Sequence, residues 1–308
     1  MNDRERRRRR RRKQRFTMFA MLFGCCFVMI GFLAVLFVIK KMPENENMSF
    51  NSPEEEVMTE DLQEIETMTE ISRVYDVKNT EEIVSEVMKA ESEYQRILAL
   101  APGECAANGF LEGEMAGRLF YEGEMEDVLS RIQGISYREN PDVGLADLAY
   151  LRMLYCGADG NTYVGEMIVN QKIKEDVLAV FRELYESGYV IERMVLVDEY
   201  RGDDQKSMEA NNTSAFNYRT IAGSSKLSNH SYGMAIDVNP KYNPYVKAAG
   251  DGSVVCQPEG GRDYVDRTKE FAYKIDEEDL AYRLFTARGF TWGGSWNSVK
   301  DYQHFEKQ

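Results

Sequence analysis

The sequence predicts an α+β protein: a small antiparallel sheet with flanking helices that carries a metal site, preceded by one transmembrane helix and a helical stalk. Three observations carry this expectation. From about Asp147 onward, helical and strand periodicities mix without a regular βαβ repeat. Near the N-terminus, residues 16–39 form an uninterrupted uncharged run. The whole 308-residue chain has two histidines, His230 and His304, each a few residues from an aspartate.

The first segment is basic. Residues 1–15 hold ten Lys or Arg, although the chain as a whole carries a net charge of -14. The run Phe16–Ile39 follows, and Lys40 and Lys41 close it. At about 1.5 Å rise per residue it is long enough to cross a ~30 Å hydrocarbon core. A cleaved signal peptide would have a shorter apolar region and a small-residue cleavage site, which Lys-Lys-Met-Pro does not provide. The basic run then places the N-terminus in the cytoplasm and the bulk of the chain outside. It reads as a topology signal and an anionic-lipid contact, so the bilayer, through residues 16–39, is one expected partner. Nucleic acid is not expected as another.

Residues 40–56 are polar and acidic and read as a linker. From 57 to 130 the pattern is a helical stalk and connecting region. Ile83, Val84, Val87, Met88, Glu91, Tyr94, Ile97 and Leu98 mark one helix face, and Leu62, Ile65, Met68 and Ile71 suggest an earlier helix. These stripes would allow self-association, but the heptads are too few to read as a coiled coil. The glycine-rich stretch 101–145 suggests no chemistry of its own.

In the C-terminal domain, taken as 131–308, residues 161–169 suggest a strand pair or a strand and loop. Ile173 to Tyr185 is an amphipathic helix ended by Gly188. Val190–Val197 is β-rich, and Asp198–Asp204 reads as a loop. Met234–Val238 alternates, with Ala235 and Asp237 on one face. Asp276 is expected to cap a helix ending at Gly289, and Phe290–Trp292 and His304–Glu306 look like closing strands. Of the five cysteines, Cys25 and Cys26 fall in the apolar run. Cys105, Cys156 and Cys256 are widely spaced, form no CxxC, and fix no disulfide pairing.

The chemistry lies in two short stretches. His230 and Asp237 flank Gly233, and a bend there turns the loop histidine back toward the strand aspartate. Asp301 and His304 are three apart, one turn, and can point into one cavity. Two imidazoles and one carboxylate make a zinc site with a fourth position open to water, the mark of a catalytic rather than a structural site. Zinc lowers the pKa of its water to roughly 7. A further group must then move protons, and Asp301 is placed to do so.

Ser228-x-His230-x-x-Gly233-x-Ala235-x-Asp237, followed by Asp301-x-x-His304-Phe305, resembles the zinc D-alanyl-D-alanine carboxypeptidase and L-alanyl-D-glutamate endopeptidase family, which cuts peptidoglycan stem peptides. The likeness extends to 165–170, Glu199–Arg201, Asn211–Arg219, Asn239–Pro240, Asn243–Tyr245 and Gly293-Gly294-x-Trp296, about 145–308 in all. It implies one zinc ion held by His230, Asp237 and His304, and Asp301 as general base where many members carry Glu. It implies an arginine on the substrate carbonyl or carboxylate, with Arg201 and Arg219 competing for that role; a surface ion pair is the alternative for either. Ser228 and Glu306 are candidate supporting residues, Glu306 either to orient an imidazole or as a solvent-facing strand residue. Trp292 and Trp296 line the cleft or pack in the core. The expected protein is a single-pass membrane peptidase with its domain outside the cytoplasm. A wall-binding or scaffolding protein with an inactive site, and a purely structural zinc domain, are the alternatives.

Overall fold

The computed structural model describes residues 80, 82–250 and 252–308. They belong to one compact unit that begins at Lys78. The apolar run 16–39 and the first stalk stripe, 62–71, lie outside them. Among the described residues no helix is long and apolar enough to cross a membrane.

The first described helix, α1, covers 82–98. Its apolar face is used at one end only. Ile97 is buried in the core and Tyr94 and Leu98 pack against it, while Ile83, Val84, Val87 and Met88 are exposed. Strand β1 (Cys105–Ala107), helix α2 (Gly113–Arg118), strand β2 (Tyr121–Gly123) and helix α3 (Met125–Ile132) follow. The two long strands come next, β3 (Leu148–Cys156) and β4 (Thr162–Asn170). They form an antiparallel hairpin paired from Leu148–Asn170 to Cys156–Thr162. The sheet order is β1-β4-β3-β2. Residues assigned from sequence to the connecting region, 105–107 and 121–123, are therefore its two edge strands. The expected boundary at 130/131 cuts through this sheet.

Both faces of the hairpin are covered, which is why it reads as nearly continuous apolar sequence. Ala149, Leu151, Met153, Met167 and Val169 face a core closed by helix α4 (Lys174–Glu186), through Val177, Val180, Phe181 and Leu184. Leu148, Tyr150 and Ile168 face the other way, onto Val128 and Ile132 of α3 and Phe216. On that second side Glu166 is fully buried. The Arg131 guanidinium donates to both of its carboxylate oxygens, and Tyr150 Oη donates at 2.8 Å.

Helix α4 ends as expected, with Gly188 at φ 66. The β-rich run Val190–Val197 does not become a ladder strand. It makes isolated bridges, Cys156 with Val190 and Arg193 with Asn212, because its carbonyls serve separate neighbours rather than one partner strand. A short 3₁₀ turn over Val197–Tyr200 and helix α5 (Asp204–Glu209) occupy the expected loop.

The remaining strands are short. β5 (Ala235–Asp237), β10 (His304–Glu306) and β8 (Thr291–Trp292) form one three-stranded antiparallel sheet in the order β5-β10-β8. β7 (Val254–Gln257), β6 (Tyr245–Ala248) and β9 (Lys300–Asp301) form another in the order β7-β6-β9. The structure thus has three small sheets where the sequence suggested one. Helix α6 (Leu280–Ala287) is capped by Asp279, not Asp276: Ala281 N–H donates to Asp279 Oδ1 at 2.8 Å, while Asp276 accepts from Glu278 in the preceding turn. Phe285 of α6 stacks on Phe305 (centroids 4.5 Å apart) and meets Phe181 of α4 edge-on, so β10 is tied to the main core. Cys105, Cys156 and Cys256 are free thiols.

Candidate metal centre

The site is assembled by alternation along two short strands. Phe305 and Ile236 are fully buried and sit opposite each other across β10 and β5. Their neighbours on either side must therefore point to the other face. That face carries His304 opposite Asp237 and Glu306 opposite Ala235. Burial of one aromatic ring thus aims both His304 and Glu306.

His230 comes from a 3₁₀ turn, Asn229–Tyr232, capped by the Ser228 hydroxyl, which accepts from His230 N–H. The turn closes at Gly233 with φ 65. A Cβ at Gly233 would lie 2.6 Å from Asn170 N and 2.9 Å from Val169 C. Glycine is required there both by backbone conformation and by the approach of β4. Asn170 fixes the contact by donating its N–H to Gly233 O and its Nδ2 to Tyr232 O. The Asn211–Arg219 block completes the frame. Ser214 exchanges both backbone hydrogen bonds with Asp237, and Asn217 N–H donates to His230 O.

Three side chains converge. His230 Nε2 is 3.2 Å from His304 Nδ1 and 3.3 Å from Asp237 Oδ2, and His304 Nδ1 is 3.0 Å from Asp237 Oδ1. Each residue is less than a tenth exposed. The outward nitrogens are held elsewhere: His230 Nδ1 lies 2.6 Å from Ala215 O, and His304 Nε2 lies 3.0 Å from Glu306 Oε2. Those partners select the tautomers that leave Nε2 of His230 and Nδ1 of His304 free to bind an ion. Asn229 in turn donates to Glu306. Tetrahedral coordination at ~2.0–2.1 Å places ligand atoms roughly 3.3 Å apart, so the spacing suits zinc. Among the described residues this is the cluster able to hold a metal ion.

The electrostatics agree. Burial disfavours an ionised Asp237, but the two imidazoles outweigh it and hold the carboxyl well below the usual range. Burial also disfavours a charged His304, yet hydrogen bonds to Asp237 and Glu306 raise it to about 10. Protons and a metal ion therefore compete for the same atoms.

Asp301 reaches the site from a different sheet. It ends β9, paired with Tyr245 of β6, and the turn Tyr302–Gln303 carries the chain into β10. The residue is half-buried, but its Oδ1 is sealed from solvent and has no hydrogen-bond partner. Burial pushes the carboxyl up to about 7; Asp237 adds to the rise, and the imidazoles and Gln303 oppose it. Gly293 packs against this turn so closely that a Cβ would sit 2.6 Å from Asp301 O and 3.2 Å from His304 Cβ.

The two arginines separate. Arg219 lies beside the metal loop: its N–H donates to Ser231 Oγ and its carbonyl accepts from Ser228 N–H. Its guanidinium pairs with Asp204 at 2.6 Å, and its Nε is buried without an acceptor. Arg201 is exposed, in a left-handed conformation at φ 60, and no hydrogen bond ties it to the site. The tryptophans separate too. Trp292 is core, with Nε1 donating to Tyr302 O, whereas Trp296 is half-buried with its ring 5.3 Å from that of His304. Sequence reasoning missed Gln303 and the Ala215 carbonyl. Gln303 stood inside the Asp301–His304 motif, but nothing in the spacing marks it. A backbone carbonyl leaves no residue-type signal at all.

Residues 222–307 match a family model described as D-alanyl-D-alanine carboxypeptidase, the family that the sequence motifs resemble. The matched span contains His230, Asp237, Asp301 and His304; Arg201 and Arg219 lie before it. No curated protein and no solved structure matches the chain.

Proposed function

With residues 222–307 matching the D-alanyl-D-alanine carboxypeptidase family, we propose that the protein is a membrane-anchored zinc peptidase that hydrolyses amide bonds of peptidoglycan stem peptides. The observation that carries this reading is the convergence of His230 Nε2, Asp237 and His304 Nδ1 beside the unpartnered Oδ1 of Asp301. His230, Asp237 and His304 would hold the ion. Zinc bound there supplies Lewis acidity toward a carbonyl oxygen and a water acidified to a pKa near 7. Asp301 takes the proton of the attacking water and delivers it to the departing amine. Arg219, with one buried N–H unused, is better placed than Arg201 to meet a carboxylate or a developing oxyanion.

Residues 16–39 anchor the chain in the bilayer with residues 1–15 in the cytoplasm, and the catalytic unit lies outside. The exposed residues Ile83, Val84, Val87 and Met88 leave an apolar stripe on α1 through which two copies would associate. The alternative, an inactive wall-binding protein, is disfavoured by the presence of the whole ligand set together with Asp301.

The test is metal content and muropeptide digestion by the unit 78–308; a fragment beginning near 130 would lose β1 and β2 from the main sheet. One equivalent of zinc and release of D-alanine or of a cleaved stem peptide are expected. Activity should fall about 10²–10⁴-fold in Asp301→Asn with zinc retained. Zinc-loaded protein that cleaves no stem peptide would favour the wall-binding alternative.

A further inference from the structure

The sheet β7-β6-β9 has one covered face and one open face. Cys256, Val246 and Lys300 stand opposite one another in register. They mark the covered face, where Cys256 is buried and Lys300 Nζ donates to Gly294 O at 3.0 Å. Alternation along each strand sends the next row in register, Gln257, Tyr245 and Asp301, to the other face. Lys247, two residues beyond Tyr245 on β6, and Val255 opposite it share that face. Tyr245 and Gln257 are half-buried, whereas Lys247 and Val255 are exposed. The open face therefore leads from Asp301, beside the ligand cluster, out to solvent. The Tyr245 hydroxyl, the Gln257 amide and the Lys247 ammonium make no side-chain hydrogen bond or ion pair among the described residues. Lys174, Lys274 and Lys307, by contrast, each pair with a carboxylate. In a chain of net charge -14, an ammonium left without an internal partner on this face is available to an anion from outside.

We propose that this open face is the platform on which the substrate peptide lies, with Lys247 pairing a carboxylate along the peptide and Tyr245 hydrogen-bonding its backbone. Neighbouring strands are about 4.8 Å apart, and residues i and i+2 about 6.8 Å apart. The Lys247 backbone thus lies roughly 8 Å from that of Asp301, the span of about two to three residues of an extended peptide. In a stem peptide, a γ-linked D-glutamate keeps its α-carboxylate free, and L-lysine and D-alanine separate it from the D-Ala-D-Ala bond. Lys247 meets that carboxylate as a flexible point charge on a solvated rim, unlike the guanidinium fork of Arg219. The Tyr245 phenol and the Gln257 amide, between the two ends, supply donors and acceptors for peptide N–H and C=O groups. Charge complementarity and continuity with Asp301 both favour an anionic peptide on this face.

This inference takes its substrate class from the proposed function, so its test measures binding rather than turnover. The probes are L-Ala-γ-D-Glu-L-Lys-D-Ala-D-Ala and the same peptide with D-isoglutamine in place of D-glutamate, which removes only the α-carboxylate. Titration calorimetry on full-length, zinc-loaded protein carrying Asp301→Asn gives both affinities. The free carboxylate should bind about 2- to 5-fold more tightly, as expected for a solvated ion pair, and less so in high salt. That preference should vanish in Lys247→Gln and reverse in Lys247→Glu; Lys247 is exposed, so neither change disturbs packing. Tyr245→Phe should weaken both peptides alike, about 3- to 10-fold, and leave the preference intact. A preference that survives Lys247→Gln, or affinities untouched by Tyr245→Phe, would overturn the platform and leave the proposed function standing. A Lys247-dependent preference in protein that cuts neither peptide once Asp301 is restored would count against the proposed function alone.

Discussion

The β3–β4 hairpin and the candidate metal centre are built on opposite principles. The hairpin is a nine-residue ladder with apolar side chains on both faces and a helix against each. The centre is made from strands of two or three residues in two sheets and one 3₁₀ turn, held by a few hydrogen bonds that involve Ala215, Asn170, Asn229 and Glu306. Many contacts of one kind support the first, so most substitutions there cost stability in proportion to what they remove. Few contacts of specific kinds support the second, so small displacements change chemistry before they change stability. The join between them is Gly233 against Asn170, where the end of the ladder abuts the metal loop.

The largest expected loss of stability lies on the ladder side. Arg131→Met leaves the fully buried Glu166 carboxylate without its guanidinium. Breaking a buried pair from one side costs about 3–5 kcal/mol. Urea unfolding should show that loss, while zinc affinity of the folded fraction stays at the wild-type value. Gly233→Ala comes next. It adds a left-handed non-glycine residue and a Cβ 2.6 Å from Asn170 N. About 3–4 kcal/mol is expected from strain and overpacking together. Here zinc titration should show affinity falling too, because His230 sits on the displaced turn. If both variants changed zinc affinity equally, the division between the two regions would be wrong.

The helix α4 with its Gly188 stop, the two closing strands β8 and β10, and the grouping of His230, Asp237 and His304 were legible in the sequence. Each leaves a local trace: an amphipathic period, an alternation, or a rare residue type beside a carboxylate. The edge strands β1 and β2 were not, since they lie in the glycine-rich, acidic stretch 101–145 and owe their pairing to β4 and β3. The Val190–Val197 run misleads because β propensity reports a half-buried extended backbone, not a partner strand. Asp276 and Asp279 offer equal capping chemistry, and tertiary contact with Tyr189 and α6 decides between them. The arginines illustrate the same limit. Arg201 and Arg219 look alike in sequence, and only the bonds of the Arg219 backbone to Ser228 N–H and the Ser231 hydroxyl put it beside the His230 turn.

A pH series separates the regions next. Burial holds Asp301 at about 7, above its value in an unfolded chain. A raised carboxyl stabilises the fold below pH ~4 and loses that contribution as pH climbs through 7. His304, raised to about 10, continues the loss above pH ~6.5. Metal-free protein should therefore lose stability steadily between pH 4 and 8. Asp301→Asn should flatten the part below 7. The measurement is Tm against pH in chelator, for both proteins. A wild-type profile that rises over this window would mean that Asp301 is ionised at little cost, and that the centre is more open to water than its buried Oδ1 implies.

The smallest expected change in stability carries the sharpest test of the contrast. Gly293 has an ordinary backbone conformation, so alanine brings no left-handed strain, only a Cβ against Asp301 O and His304 Cβ. A Cβ 2.6 Å from the Asp301 carbonyl oxygen forces the turn itself to shift, at a cost of about 1–3 kcal/mol. That shift moves the carboxyl of Asp301 relative to the imidazole of His304, and misplacement on the order of 1 Å lowers catalysis roughly 10²-fold. Gly293→Ala should therefore keep most of its Tm and its affinity for added zinc while losing kcat in the proposed hydrolysis of stem peptides. An alanine of the same size in the ladder, Val169→Ala, should do the reverse: it opens a cavity in the buried core at about 2–4 kcal/mol with kcat intact in the folded protein. Proportional loss of kcat and stability in both variants would show that the centre has no geometry of its own to lose, and that its short strands are held as firmly as the hairpin they rest on.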